Sequence, residues 1–94
     1  MNAKKLLKIR LNHNAEELSR ALRMTERRYS EIVEDAVRIF FREEKYSKAI
    51  ERVCEKYCGN DFILAMIVIG DMIAIDRMEE LEEMLREEEM RYIG

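Results

Sequence analysis

An apolar stripe with helical spacing runs through residues 18 to 40 of this chain. Its members recur every three or four residues, the interval that places side chains on one face of an α-helix: Leu18, Leu22, Thr25, Tyr29, Ile32, Ala36 and Phe40. Asn14 is a suitable N-cap before the stripe, and acidic Glu16 and Glu17 would lie in the favourable first turn. The unbroken phase predicts one long helix over about residues 15–44.

The rest of the chain also favours helix. Proline is absent and only three glycines occur among the 94 residues, so the two strongest helix breakers are nearly missing. A sheet-rich domain would need turn residues every 8 to 12 positions, and this chain lacks them. No Pro/Gly/Ser-rich linker divides the sequence. We therefore expect an all-α fold in which residues 1–94 form a single domain.

A second apolar segment extends from Phe62 to Ile75 and is apolar on nearly all sides. It predicts a buried helix over about residues 61–75, with a hairpin turning at Gly70 and Asp71 as the alternative. The segment is shorter than the 18 or more residues of a membrane span. The expected architecture is a compact bundle of four to five helices. Residues 1–11 stay ambiguous between a short strand, helical turns and a loosely ordered segment.

Few residues are suited to catalysis or metal binding. His13 is the single histidine, and Cys54 and Cys58 supply only two ligands of the four that a structural zinc requires. No Gly-x-Ser-x-Gly motif and no phosphate-binding glycine loop occurs. We expect no enzyme activity, no cofactor, no metal and no small-molecule substrate, with Cys54 as a residue of the core.

The segment from Glu17 to Val33 resembles the helix-turn-helix motif of transcription regulators. Small Ser19 would lie where two helices cross, and Thr25 would cap a second helix that buries Tyr29 and Ile32. The resemblance implies DNA binding, in which Arg27 and Arg28 face the major groove. The remaining candidate DNA-binding residues are basic and lie before the first helix, within it or in the turn that follows it: Lys4, Lys5, Lys8, Arg10, Arg20 and Arg23. A bend of the backbone near Arg23 distinguishes this motif from one long helix.

The chain also resembles ribbon-helix-helix repressors, in which a short strand precedes two helices. Residues 8–11 alternate basic and apolar side chains like such a strand, and Ser30 to Val37 would belong to the second helix. The resemblance implies that Lys8 and Arg10 read the bases.

Surplus apolar surface suggests self-association or a partner protein. Ile39 and Phe41 lie off the main stripe, and Val33 and Val37 widen it, so these four residues are the predicted interface. Charge also divides unevenly, with a net charge of +3 over residues 1–45 and −6 over residues 46–94. The leading hypothesis is a non-enzymatic helical module that forms a homo-oligomer, such as a dimer, or binds another protein; DNA binding is the alternative.

Two expectations concern the setting of the protein. Lys8 and Arg10 interrupt the apolar residues near the N-terminus, so no signal-peptide pattern is formed and a cytoplasmic location without membrane contact is expected. Abundant charge, together with the absence of glutamine, is typical of thermophile proteins.

Overall fold

The computed structural model describes the backbone of residues 14–93 and the side chains of residues 14–91. Within this range it contains four helices and no strand: α1, described over residues 14–21, α2 Glu26–Arg42, α3 Tyr46–Lys56 and α4 Gly59–Ile93. The all-α prediction is therefore confirmed. The proposed strand or helix within residues 1–11 lies outside the described residues.

The predicted single helix over residues 15–44 is wrong, because the backbone breaks between α1 and α2. Arg23 adopts a left-handed conformation with φ of 55°, which an α-helix cannot contain. The helical spacing of the apolar residues continues in the sequence across residues 22–25, although these four residues are not helical. Periodicity alone could not detect this break.

The core lies where α2 and α3 pack against the first half of α4. Tyr29, Ile32 and Ala36 of α2, together with Val53 of α3, are almost completely buried. The residues that α4 contributes are all within residues 64–75: Leu64, Ala65, Val68, Ile69, Met72 and Ile75. The alternative hairpin at Gly70 and Asp71 is wrong, since both residues lie inside α4.

Helix α4 is much longer than the predicted segment 61–75. It contains 35 residues and continues without interruption to Ile93. Tyr46 marks the point where α4 leaves the body, because its hydroxyl donates a hydrogen bond to Asp76 and its ring stacks on Phe40. Beyond that point, every described side chain from Arg77 to Arg91 is exposed. The bundle is therefore elongated, with extents of 55 × 27 × 17 Å.

Cys54 is exposed, so its predicted place in the core is wrong. The neighbouring Val53 is fully buried instead, and both Cys54 and Cys58 are free, exposed thiols. Successive helical residues point about 100° apart, so Val53 lies in the core while Cys54 beside it faces outward.

Candidate nucleic-acid interface

The turn between α1 and α2 has the hydrogen bonds of a Schellman motif. The N–H of Met24 donates to the carbonyl of Ser19 at 2.9 Å, and the N–H of Arg23 donates to the carbonyl of Arg20 at 3.1 Å. In this motif the residue after the C-cap is left-handed and is usually glycine. Arg23 occupies that position here, so the bend foreseen for a helix-turn-helix unit is present despite the missing glycine.

Side chains secure both ends of this turn. The Thr25 hydroxyl accepts a hydrogen bond from the N–H of Arg28 at 3.1 Å and caps α2, as the sequence predicted. On the other side, the Asn60 amide donates to the carbonyl of Leu22 at 2.9 Å. This bond satisfies a carbonyl at the end of α1 that has no helical partner, and it ties the turn to the start of α4.

Ser19 has the environment expected of a residue at a helix crossing. It is buried, and its hydroxyl donates to the carbonyl of Glu16 at 3.1 Å, which satisfies its polar group within α1. Leu18, Leu22 and Met24 are partly buried and pack against the common core. The α1–turn–α2 unit is thus held to the body by packing as well as by the Asn60 bond.

Four of the arginines predicted to contact DNA lie among the described residues, Arg20, Arg23, Arg27 and Arg28, and all four are exposed, but three of them have acidic partners. Arg20 lies 3.4 Å from Glu16, and Arg27 lies 3.6 Å from Glu31. Arg28 is 3.0 Å from Asp61, and this hydrogen bond is the main reason that the pKa of its guanidinium is raised. Arg23 makes no ion pair with any described residue. The outer surface of α2 is therefore largely charge-neutralised.

The remaining predicted DNA-binding residues, Lys4, Lys5, Lys8 and Arg10, lie outside the described residues. In sequence they form the strongest basic segment of the chain, because residues 1–15 contain these four cations and no acidic side chain.

Asp35 is the centre of a polar cluster that sequence reasoning missed. Its carboxylate lies 2.6 Å from the Lys56 ammonium and accepts a hydrogen bond from the Tyr57 hydroxyl. Burial alone raises the pKa of Asp35, but the bonds from Lys56 and Tyr57 outweigh it and hold this pKa below its usual value. The sequence separations are 21 and 22 residues, so only the fold brings these groups together.

An open groove of about 360 Å³ lies beside this cluster. Its lining includes Arg28, Asp35, Lys56, Tyr57 and Asp61. The charges pair across it, Lys56 with Asp35 and Arg28 with Asp61. A ligand that used these charges would first have to break existing ion pairs.

The four predicted interface residues of α2 do not lie on one open surface. Val37 and Ile39 are buried within the chain itself, and Val33 is half-buried. Phe41 is 53% exposed and contacts the ring of Phe40 edge-on. Val37 and Ile39 would therefore need a rearrangement of the monomer core to take part in an interface.

Large exposed apolar residues instead concentrate on α4, outside the four residues that the sequence predicted as the interface. Ile63 and Ile67 are exposed beside the body, and Met78, Leu81 and Leu85 are exposed on the projecting half. At 100° per residue these positions share one face of α4, opposite the face that packs on α2 and α3. The apolar character of this helix on all sides therefore has no explanation within the described monomer.

Among residues 14–91, no three His, Cys, Asp or Glu side chains are grouped so that they could hold a metal ion. No helix in the described part of the chain combines the length and the apolar character needed to cross a membrane.

Comparison of the chain with protein-family models, with curated proteins and with solved structures found no match. The resemblance to DNA-binding regulators therefore rests on the sequence of residues 4–42 and on the geometry of residues 14–42.

Proposed function

We propose that this chain is a non-enzymatic DNA-binding protein in which the basic segment at residues 4–11 contacts the duplex and the α1–turn–α2 unit supports it. The observation that carries the proposal is the Schellman turn at Arg23. This turn divides residues 14–42 into two helices, although their apolar spacing is that of a single helix. A short basic, alternating segment followed by two helices is the order of elements in ribbon-helix-helix repressors.

The distribution of charge favours residues 4–11 over α2 as the DNA-contacting segment. Arg27 and Arg28 already pair with Glu31, and Arg28 also pairs with Asp61, so phosphate contact would have to compete with these carboxylates. Lys8 and Arg10 have no acidic neighbour in the first 15 residues. We assign base contacts to Lys8 and Arg10, and phosphate contacts to Lys4 and Lys5.

This arrangement also requires two copies of the chain. The major groove admits an α-helix or a two-stranded ribbon, and a segment that binds as the strand implied by the ribbon-helix-helix resemblance would supply only one of the two strands. A second copy would provide the other. DNA binding and self-association are therefore parts of the same proposal, although they can be measured separately.

A salt-dependent titration of duplex DNA tests the proposal. We expect binding at about 50 mM salt that weakens steeply as salt rises, because each phosphate contact adds about 0.9 to the slope of log affinity against log salt. A Lys4→Ala, Lys5→Ala double variant should lower the slope by about 3.6, because two phosphate contacts are lost from each of the two copies. No binding of the full chain at about 50 mM salt would contradict the proposal.

A matched pair of variants separates the two DNA-binding modes. Lys8→Ala with Arg10→Ala should weaken DNA binding at least tenfold, whereas Arg27→Ala with Arg28→Ala should change it less than threefold. The reverse result would favour a helix-turn-helix mode in which the start of α2 enters the major groove.

A second candidate function is a protein-interaction module that works by self-association alone. The specific observation in its favour is the row of exposed apolar residues on α4, since contiguous apolar surface commonly marks an interaction site. Light scattering gives its first test. The full chain should be a dimer or larger at high micromolar concentration, and a strict monomer there would contradict this candidate.

A further inference from the structure

Seven exposed small or apolar positions form a straight row along α4, which we name the α4 seam. Its members are separated by 4, 3, 4, 4, 3 and 4 residues: Ile63, Ile67, Gly70, Ala74, Met78, Leu81 and Leu85. The pattern repeats every 11 residues, or about 3.67 residues per turn, so the row stays on one side of a nearly straight helix. The α4 seam is about 33 Å long at 1.5 Å per residue.

The spacing of the residues in the α4 seam is the same when it is read from either end, and Ala74 is the central residue. If two α4 helices lie antiparallel with Ala74 against Ala74, residues equally far before and after Ala74 face each other. Ile63 of one copy then meets Leu85 of the other, and Ile67 meets Leu81. An interface with two-fold symmetry must be self-complementary in this way.

The sizes of the facing side chains also match. Gly70 of one copy lies opposite Met78 of the other, and a Cβ atom added at Gly70 would meet nothing within 4 Å. That open space receives the long Met78 side chain, which is 62% exposed in the monomer. At the centre, two alanines let the helices approach closely.

Charge decides between the antiparallel and the parallel arrangement. Residues 77–91 contain seven glutamates and three arginines, a net charge of −4. A parallel pair would place two such segments side by side and make them repel. An antiparallel pair separates them and brings Glu89 of one copy beside Gly59, where α4 of the other begins. The N-terminus of a helix carries partial positive charge and favours such an anion.

We propose that two copies of this chain associate through the α4 seam as an antiparallel helix pair, with the two-fold axis at Ala74. The proposal gives a structural form to the second candidate function, self-association, and does not depend on DNA binding. The spacing favours a second copy of the chain as the binding partner of the α4 seam. A second copy matches the full 33 Å of the seam, including the projecting half of α4 that α1, α2 and α3 do not reach.

Disulfide trapping measures the register directly. The exposed cysteines are first removed as Cys54→Ser and Cys58→Ser, so that they form no background links. In this full-length background, Ala74→Cys should give a covalent dimer under mild oxidation, because the two sulfurs meet at the axis. Leu85→Cys alone should not, since the two copies of residue 85 lie about 33 Å apart. Mixing the Ile63→Cys and Leu85→Cys proteins should restore cross-linking.

Parallel pairing would reverse this result, with Leu85→Cys linking to itself and the mixed pair remaining unlinked. That outcome overturns the proposed arrangement. So does the absence of any link at Ala74→Cys in a protein that light scattering shows to be dimeric.

A pair of charge variants tests the surface without any cross-link. Leu81→Lys on the α4 seam should raise the dimer dissociation constant at least 100-fold, with folding checked by cooperative urea unfolding. Met90→Lys is the matched control, because Met90 is 74% exposed but lies on the other side of α4, and it should change the constant less than threefold. A strictly monomeric parent protein would overturn the proposal. The partner of the α4 seam would then be residues 1–13 or a different protein. These measurements contain no DNA, so failure of DNA binding would not affect their outcome.

Discussion

Asp35 joins two helices through one carboxylate, and its protonation controls that link. Lys56 and Tyr57 both bind the carboxylate, and they lower its pKa below the ordinary value of 3.8 against the opposing effect of burial. A folded-state pKa below the unfolded value stabilises the fold at pH above about 3.8. This stabilisation is lost as the pH falls through the lower, folded-state pKa.

We therefore expect Asp35→Asn to lower the free energy of unfolding by about 1.5–3 kcal/mol at pH 7, the usual contribution of a hydrogen bond to a charged group. The difference from the parent protein should shrink as the pH falls below about 3.8, because the parent carboxyl is then protonated as well. Urea unfolding at pH 7 and near pH 3 measures both values. Glu34→Gln, at an exposed position of the same helix, should leave the free energy of unfolding unchanged at both pH values. If Asp35→Asn lowered the free energy of unfolding equally at both pH values, the charge of Asp35 would not be the cause.

Tyr29 is a buried residue whose hydroxyl group makes no hydrogen bond within the described structure. Its side chain is 1% exposed, and its hydroxyl finds no hydrogen-bond partner among the described residues. Burial raises its pKa, so the hydroxyl stays protonated. Tyr29→Phe should leave the free energy of unfolding unchanged or increase it by up to about 1 kcal/mol, because an unsatisfied buried group is removed. Tyr29→Leu, which loses aromatic volume, should reduce it, and a loss above about 1 kcal/mol in the Phe variant would reveal a partner for the hydroxyl.

At the scale of helices, the left-handed backbone of Arg23 predicts that glycine at this position stabilises the fold. A left-handed arginine costs on the order of 1 kcal/mol that glycine does not incur. Arg23→Gly should therefore raise the free energy of unfolding by up to about 1 kcal/mol in urea denaturation. Arg20→Gly is the control, because Arg20 lies inside α1 with right-handed backbone, and there glycine should be destabilising by about 1 kcal/mol. A destabilising Arg23→Gly would mean that the helix continues through the turn.

The helices show what a single sequence can and cannot predict. The periodic spacing of Tyr29, Ile32 and Ala36 predicted the buried face of α2 correctly, because that spacing depends only on local geometry. The end of α1 was missed for two reasons. The apolar spacing continues in the sequence across the turn, and the expected glycine is replaced by arginine at a position where a non-glycine residue is uncommon.

The candidate site divides in the same way between local and long-range features. The helix-turn-helix resemblance implied Thr25 as the cap of α2 and Ser19 as a small residue at a helix crossing, and the hydrogen bonds of both side chains join residues three positions apart. The bond from Asn60 to Leu22 spans 38 residues, and the ion pair of Arg28 with Asp61 spans 33. The neutralisation of the α2 arginines therefore became visible only with the fold, and it moved the proposed DNA contacts to residues 4–11.

For the whole molecule, the central question is why α4 is apolar on two opposite faces. The sequence interpretation placed residues 61–75 at the centre of a bundle within one chain. The described chain covers only the face that contains Leu64, Val68 and Met72. The apolar residues on both faces of α4 are explained if a second copy of the chain covers the face that α2 and α3 leave exposed.

The projecting half of α4 gives this view a measurable consequence in solution. Residues 77–91 have no buried side chain, and a helix of this length without tertiary packing is marginally stable in water. If pairing supplies that packing, helix content measured by circular dichroism at 222 nm should fall as the protein is diluted from about 200 to about 1 μM. The thermal midpoint should rise by roughly 3–5 °C for each tenfold increase in concentration. Leu81→Lys should remove both dependences while Met90→Lys keeps them, and concentration-independent helix content in the parent protein would show that α4 projects as a stable helix without a partner.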